Sequence, residues 1–323
     1  MRMMKTFRIL VPALLCLFSI VPTWAQSRDT HFWLDARTSF AGGVGETSRT
    51  GFTADYVNIH AAGSLSDNIR YRFRQRLTKP VFSKENPLNG TDLLFLDWIP
   101  SKQWDFAAGK LPVLIGGFEW DDAPIDVYYW NGYCNHVWEV YSLGVQATFH
   151  PAPGQGVTFQ LVDSPWSRNI RNCYAWNLCW HGHFAPWWHT IWSVNYMDDV
   201  FRKGITYLSL GNRLERGRWA AELDWMDRGG FRGDWSFTGR LVYDTGRWNL
   251  FAKGGYDINK SCDRDVLVPV GFEYVFGGGG VEYFPLHHSR DIRLHAVVWG
   301  DNLAESLRFS FGITFQLHLL SRS

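Results

Sequence analysis

Residues 69–77 read IRYRFRQRL, with arginine at positions 70, 72, 74 and 76. A helix scatters such a set around its circumference, whereas a strand, with a side-chain period of two, lines it up on one face. Ile69, Tyr71, Phe73 and Leu77 then occupy the other. A column of guanidinium groups offers repeated bidentate sites for carboxylate or phosphate oxygens, so that an anion passes from one to the next without being trapped. On a lipid-facing wall each arginine costs about 2–4 kcal/mol at the membrane midplane, so Arg70, Arg72, Arg74 and Arg76 belong on a face that meets water. A competing use exists for them. Glu222, Asp224, Glu273 and Glu282 fall on faces of the same polar kind, and pairing with such acids would simply stiffen a wall.

The same alternation recurs from Thr30 to the end of the chain. WAAELDW sets Trp219, Ala221, Leu223 and Trp225 against Ala220, Glu222 and Asp224. LRFSFGITFQL sets Leu307, Phe309, Phe311, Ile313, Phe315 and Leu317 against Arg308, Ser310, Gly312, Thr314 and Gln316. Short turn sequences such as GSLSDN, PSKQ, ERGR, DTGR and FGGGG separate these segments, in alternation with longer connections, the longest at 113–139. Seventeen segments qualify as strands. A barrel with both ends on one side needs an even number, which places the surplus between Asp265 and Val298 and leaves sixteen.

Arg2, Lys5 and Arg8, the apolar run Ile9 to Val21 and the sequence Thr23-Trp24-Ala25 predict an exported chain with a signal peptide at 1–25 and a single domain at 26–323. Removing that peptide turns the formal balance of +1 slightly negative, which argues against nucleic acid as a partner. No later stretch is apolar enough for a membrane helix. Yet the chain carries 18 Trp, 13 Tyr and 23 Phe. Trp98, Trp104, Trp219, Trp225, Trp235 and Trp248 stand beside turns, at the headgroup level if the strands cross a bilayer. Ser310, Gly312, Phe315 and Leu317 follow the polar, glycine, aromatic and apolar pattern of a terminal strand that the outer-membrane assembly machinery reads.

A transmembrane antiparallel β-barrel in the bacterial outer membrane, in contact with its lipids, is therefore expected. Sixteen strands enclose an aqueous channel, and small polar or anionic solutes are its expected partners. Cys134, Cys173, Cys179 and Cys262 permit three disulfide connectivities, which the sequence leaves open. His181 and His183, with His136 and His189 nearby, are read as polar rim or lumen residues. No metal and no cofactor is expected. Nor is enzymatic activity, since a lipase-type barrel would need an oriented Ser–His pair and no G-x-S-x-G signature is present.

Residues 107–131, AAGKLPVLIGGFEWDDAPIDVYYWN, carry a more particular likeness. Gly109-Lys110, the turn Ile115-Gly116-Gly117-Phe118-Glu119, Pro124-Ile125-Asp126 running into Tyr128-Tyr129, GSLSDNIRYRFR, and Arg293 with His295 in RDIRLHAV resemble the phosphate-selective porin O and P family. The resemblance implies a sixteen-stranded, homotrimeric porin whose 113–139 loop folds into the channel. Lys110 and Arg293 would then join the arginine column as pore-lining cations. Gly116 and Gly117 would allow the sharp re-entry, while Glu119, Asp121, Asp122 and Asp126 would bring negative charge to the constriction, which works against phosphate selectivity. The alternative is a plugged, structural or adhesive barrel that binds an extracellular ligand through aromatic surfaces such as CYAWNLCWHGHFAPWW, residues 173–188, without solute flux.

Overall fold

The structure is a computed structural model, which describes residues 29–44, 50–79, 88–131, 141–166, 172–198, 204–228, 234–261, 263, 270–286, 288–302 and 306–322. The expected signal peptide, Cys134, Cys262, His136 and the end of the 113–139 loop lie outside the described residues. Sixteen strands follow one another: β1 Asp29–Val44, β2 Gly51–Ser66, β3 Ile69–Arg76, β4 Thr91–Ser101, β5 Trp104–Pro112, β6 Tyr141–Phe149, β7 Gly156–Asp163 and β8 Tyr174–Ala185. The second half comprises β9 Trp188–Asp198, β10 Gly204–Arg216, β11 Trp219–Arg228, β12 Trp235–Asp244, β13 Trp248–Asn259, β14 Phe272–Tyr283, β15 Ile292–Asp301 and β16 Ser306–Arg322. Each pairs antiparallel with its sequence neighbours, and β1 pairs with β16, which closes the barrel and leaves no sheet edge.

The alternation decides which face looks where. On β11, Trp219 and Leu223 are 52% and 44% exposed, while Glu222 and Asp224, one residue away, are 4% and 7% exposed. Leu307, Phe311 and Leu317 on β16 are likewise exposed, opposite buried Ser310 and Thr314. This is the reverse of a soluble sandwich. The apolar residues form the outer surface, which water would not tolerate and hydrocarbon would. A single rim carries the two- to eight-residue connections 67–68, 102–103, 150–155, 186–187, 217–218, 245–247 and 284–291. Trp98, Trp104, Trp187, Trp219 and Trp248 gather there, all exposed.

The expected strands 266–276 and 279–286 are one strand, β14, which removes the surplus. FGGGG is not a turn. Gly277 to Gly280 run through the middle of β14, paired with Gly254 to Phe251 on one side and Gly300 to Val297 on the other. Their lack of side chains admits large neighbours: a Cβ on Gly278 would come within 2.5 Å of the Trp299 side chain, and one on Gly280 within 2.8 Å of the Phe251 ring. The tryptophan-rich stretch 173–188 is mostly strand β8, as its alternation predicts, with the turn 186–187 at its end. Trp176 and Trp180 share the outer register with exposed Leu178, so they belong to the lipid-facing belt.

Candidate functional site

The loop that follows β5 turns into the barrel and crosses it. Leu114 donates its N–H to Gln160 on β7 at 3.0 Å and accepts from Asn195 on β9 at 2.6 Å. Gly116 donates to the Ser193 hydroxyl at 2.7 Å, and its carbonyl accepts from Ser209 on β10 at 2.6 Å. Here the chain lies directly on the wall. A Cβ on Gly116 would meet Ile191 and Ser193 backbone at 2.9 Å, and Gly117 adopts φ 112°, which disfavours any other residue. The re-entry expected at these two glycines is thus present.

Beyond it, the short helix α1 Phe118–Asp121 is held by Asp224, whose carboxylate accepts from the Phe118 and Glu119 N–H groups at 2.9 and 2.8 Å. Glu119 in turn receives the Lys253 ammonium from β13 at 3.0 and 3.1 Å, and both groups are buried. Lys253 also donates to the Tyr129 carbonyl, and the Asn131 N–H donates to Glu119, so every charge in this knot is answered. Apolar packing completes the seat: Val113, Ile115, Trp120 and Trp130 of the loop lie against Met197, Tyr207 and Met226 of the wall.

The loop tip, a 3-10 turn at Pro124–Asp126, reaches the strands where the barrel closes. Arg37 on β1 donates to the Ile125 and Val127 carbonyls at 2.8 and 2.9 Å. Arg293 on β15 binds Asp126 at 2.5 Å and Glu282 at 3.2 Å, and the Tyr128 hydroxyl donates to Glu282 at 2.6 Å. Arg240 on β12 holds both Asp122 and Glu222 at 2.5 Å. Arg293, expected as a pore cation, is therefore an inward-facing anchor already spent on the loop.

Facing the loop from the other side are β2 and β3. The cross-strand rows Ala62–Arg72, His60–Arg74 and Asn58–Arg76 place the arginine column on the inner face, as its spacing predicts. Its rungs are unequal. Arg74 and Arg76 converge on buried Asp92, at 3.3 and 2.9 Å, and Tyr141 covers Arg74. Arg70 and Arg72 make no ion pair within 4.0 Å among the described residues. Half of the column therefore braces the wall, while Arg70 and Arg72 stand within the influence of Asp97, the residue across from Arg70 on β4, without a direct ion pair.

Two expectations are corrected. Lys110 shares the outer register with Leu94 and Leu143, and its ammonium folds over to the Leu88 carbonyl at 3.1 Å, so it does not line the pore. The strand that carries it meets the lumen through Asp105, Ala107, Gly109 and Leu111 instead. Glu273, expected inside, shares the outer register with exposed Val275 at the end of β14 and accepts the Tyr256 hydroxyl.

Between the loop and the arginine wall the described residues leave a series of adjoining cavities. A cavity above the loop, bounded by Arg72, Trp120, Asp121, Trp130 and His181, shares Arg72, Arg74, Arg76, Ala123 and Pro124 with one below. That lower cavity shares Asn249, Glu282, Arg290 and Arg293 with a third, which runs on past Arg240 and Asp244. The passage is eccentric, because the loop and its apolar bedding fill the side toward β7–β14. Elsewhere, Cys173 and Cys179 are buried. His183 and His189 stand side by side with ring centroids 6.4 Å apart, and among the described residues no group of three or more metal-ligating side chains forms.

A closed antiparallel barrel of sixteen strands, apolar outside and narrowed by an inward loop, is the architecture of the outer-membrane porins. The chain superposes on an anion-selective porin from Comamonas acidovorans with a TM-score of 0.65 and 10% identity, covering 89% of this chain and 99% of that one. It superposes on OmpF of Salmonella typhi, in a complex with daunomycin, with a TM-score of 0.62 and 9% identity over 89% and 97% of the two chains. OmpT, an outer membrane protein of Vibrio cholerae in its trimer form, gives 0.61 and 11% over 89% and 98%. No protein-family model and no curated relative matches the chain. At such identities the likeness concerns the fold, and residue roles rest on this structure alone.

The sequence reading missed the residues that hold the loop. Arg37, Arg240 and Lys253 lie on inner faces of strands, where the alternation places them, but nothing local distinguishes a cation that grips a loop from one that faces water. Asp92, the partner of two rungs, sits at a register irregularity in β4 that the alternation could not reveal.

Proposed function

We propose that the protein is an outer-membrane porin, a passive diffusion channel for small polar solutes. One observation carries this reading: the inward loop leaves a cavity against the arginine wall, lined by Asp121 on one side and the guanidinium of Arg72 on the other. The exposed apolar belt and the aromatic rim set the barrel in a bilayer, with the short-turn rim facing the periplasm by analogy with barrels of this class. A homotrimer fits the same reading, as does export by a signal peptide. The phosphate-selective likeness receives less support, because Asp92 neutralises half of the column and Asp121, Asp122 and Asp126 face it. Selectivity is thus weak, with Arg70 and Arg72 favouring anions along one wall and Asp121 favouring cations along the other, since Arg240 and Arg293 offset Asp122 and Asp126.

Liposome swelling with sugars of rising size tests the diffusion reading. Swelling that declines with solute size is expected, whereas a plugged adhesive barrel gives no flux for any of them. In an asymmetric potassium chloride gradient, Arg72→Gln is expected to shift the reversal potential toward cation preference. An unmoved potential would remove Arg72 from the ion path.

The loop also confers a pH response. Burial pushes the Asp122 carboxyl up to about 6, against the attraction of Arg240 and with Glu222 and Glu119 adding to the rise. Between pH 7 and pH 5 it therefore gains a proton and the constriction loses a negative charge. Reversal potentials should move toward anion preference over that interval, and the movement should be absent in Asp122→Asn.

A further inference from the structure

The passage above the loop is not uniformly polar. It forms a chamber of about 380 Å³, within the range that encloses a small organic molecule. One side carries Arg72; the loop side carries Asp121 together with the partly exposed surfaces of Leu114, Trp120, Pro124 and Trp130. Most charges that border the chamber are already committed, Arg74 and Arg76 to Asp92 and Asp122 to Arg240. Arg72 and Asp121 differ: both are exposed, and neither makes an ion pair within 4.0 Å among the described residues, although Asp97 attracts Arg72 from the neighbouring strand and His181 lies within the field of Asp121. They stand on opposite walls of one compartment.

We infer that this chamber is a transient binding station for zwitterionic solutes with an apolar body, such as amino acids with large apolar side chains or short apolar peptides. The inference rests on the diffusion reading and names the solute class that the channel favours. The guanidinium of Arg72 offers a planar donor pair to a carboxylate. Asp121 accepts from an ammonium group, and the tryptophan and leucine surfaces take the side chain out of water. A simple anion would meet Arg72 but be repelled by Asp121, and a simple amine would meet the reverse. Glycine would satisfy both charges and leave the apolar wall wet.

The test is reversible block of single-channel current at neutral pH, with dissociation constants extrapolated to zero voltage so that charged and uncharged probes compare fairly. Four probes separate the three elements: phenylalanine, 3-phenylpropionate, 2-phenylethylamine and glycine. Phenylalanine should bind at least about tenfold more tightly than each of the others, the size expected when a charged hydrogen-bond partner or a buried ring is lost. In Arg72→Gln the advantage over 2-phenylethylamine should vanish, and in Asp121→Asn the advantage over 3-phenylpropionate. Equal block by phenylalanine and 3-phenylpropionate, or by phenylalanine and glycine, would overturn the inference while leaving the channel intact. A folded barrel that passes no current would defeat the diffusion reading itself and this inference with it.

Discussion

Replacing Lys253 by alanine is expected to unseat the constriction loop. The substitution leaves the Glu119 carboxylate buried without its ammonium partner, which costs about 3–5 kcal/mol for a buried pair broken from one side. It also removes the donor to the Tyr129 carbonyl. The barrel itself has no need of this residue, since the strand ladders around it are backbone bonds. The penalty is therefore relieved by moving the loop, and the open-channel conductance should rise with enhanced current noise. Glu119→Ala should act in the same direction, because it strands the ammonium instead. The double variant should lose less stability than the two single losses combined, since each removes the group that the other leaves unpaired. Equilibrium unfolding in detergent or lipid, measured beside single-channel current, checks both halves. A strictly additive double variant with unchanged conductance would mean that the pair does not hold the loop.

The second large effect concerns which way the wall faces. Leu223→Arg puts a guanidinium on the outer surface in the middle of β11 and should cost about 2–4 kcal/mol of stability in lipid. Ala220→Arg, nearer the rim on the same strand, points into the lumen beside Glu215 and should cost little, and Ala221→Arg on the outer face next to it separates the effect of facing from that of depth. The contrast is the useful quantity, because the variants add the same side chain to the same strand. Folding into vesicles, followed by gel mobility or tryptophan fluorescence, reads it out. Similar losses on both faces would contradict an outer face in hydrocarbon and an inner face in water.

These variants also mark how far the sequence is legible. Alternation alone identifies the outer and inner faces of β3, β11 and β16, because a strand has only two sides and a lipid-facing arginine is costly. It misplaces Glu273 near a strand end, where a side chain on the outer register can pair with a neighbouring tyrosine, and the family likeness misplaces Lys110, which the alternation of β5 would have set outside. It misreads Gly277 to Gly280 as a turn, since glycine marks both a reversal and a place where Trp299 and Phe251 lie across bare backbone. The inward loop is legible through Gly116, Gly117 and its acids. Its seat is not: Asp224, Arg240, Lys253, Arg293 and Arg37 come from five different strands, and only closure of the barrel brings them to one loop. The same holds for Asp92, which takes two rungs of the arginine column into direct ion pairs.

Planar-bilayer recording of the purified, refolded protein in molar potassium chloride tests the central claim most directly. A passage between Asp121 and Arg72 predicts discrete current steps that are ohmic at low voltage, with an ion preference that shifts when Arg72 is neutralised. Silence from protein shown to be folded and inserted would contradict it, and would mean that the loop closes the barrel.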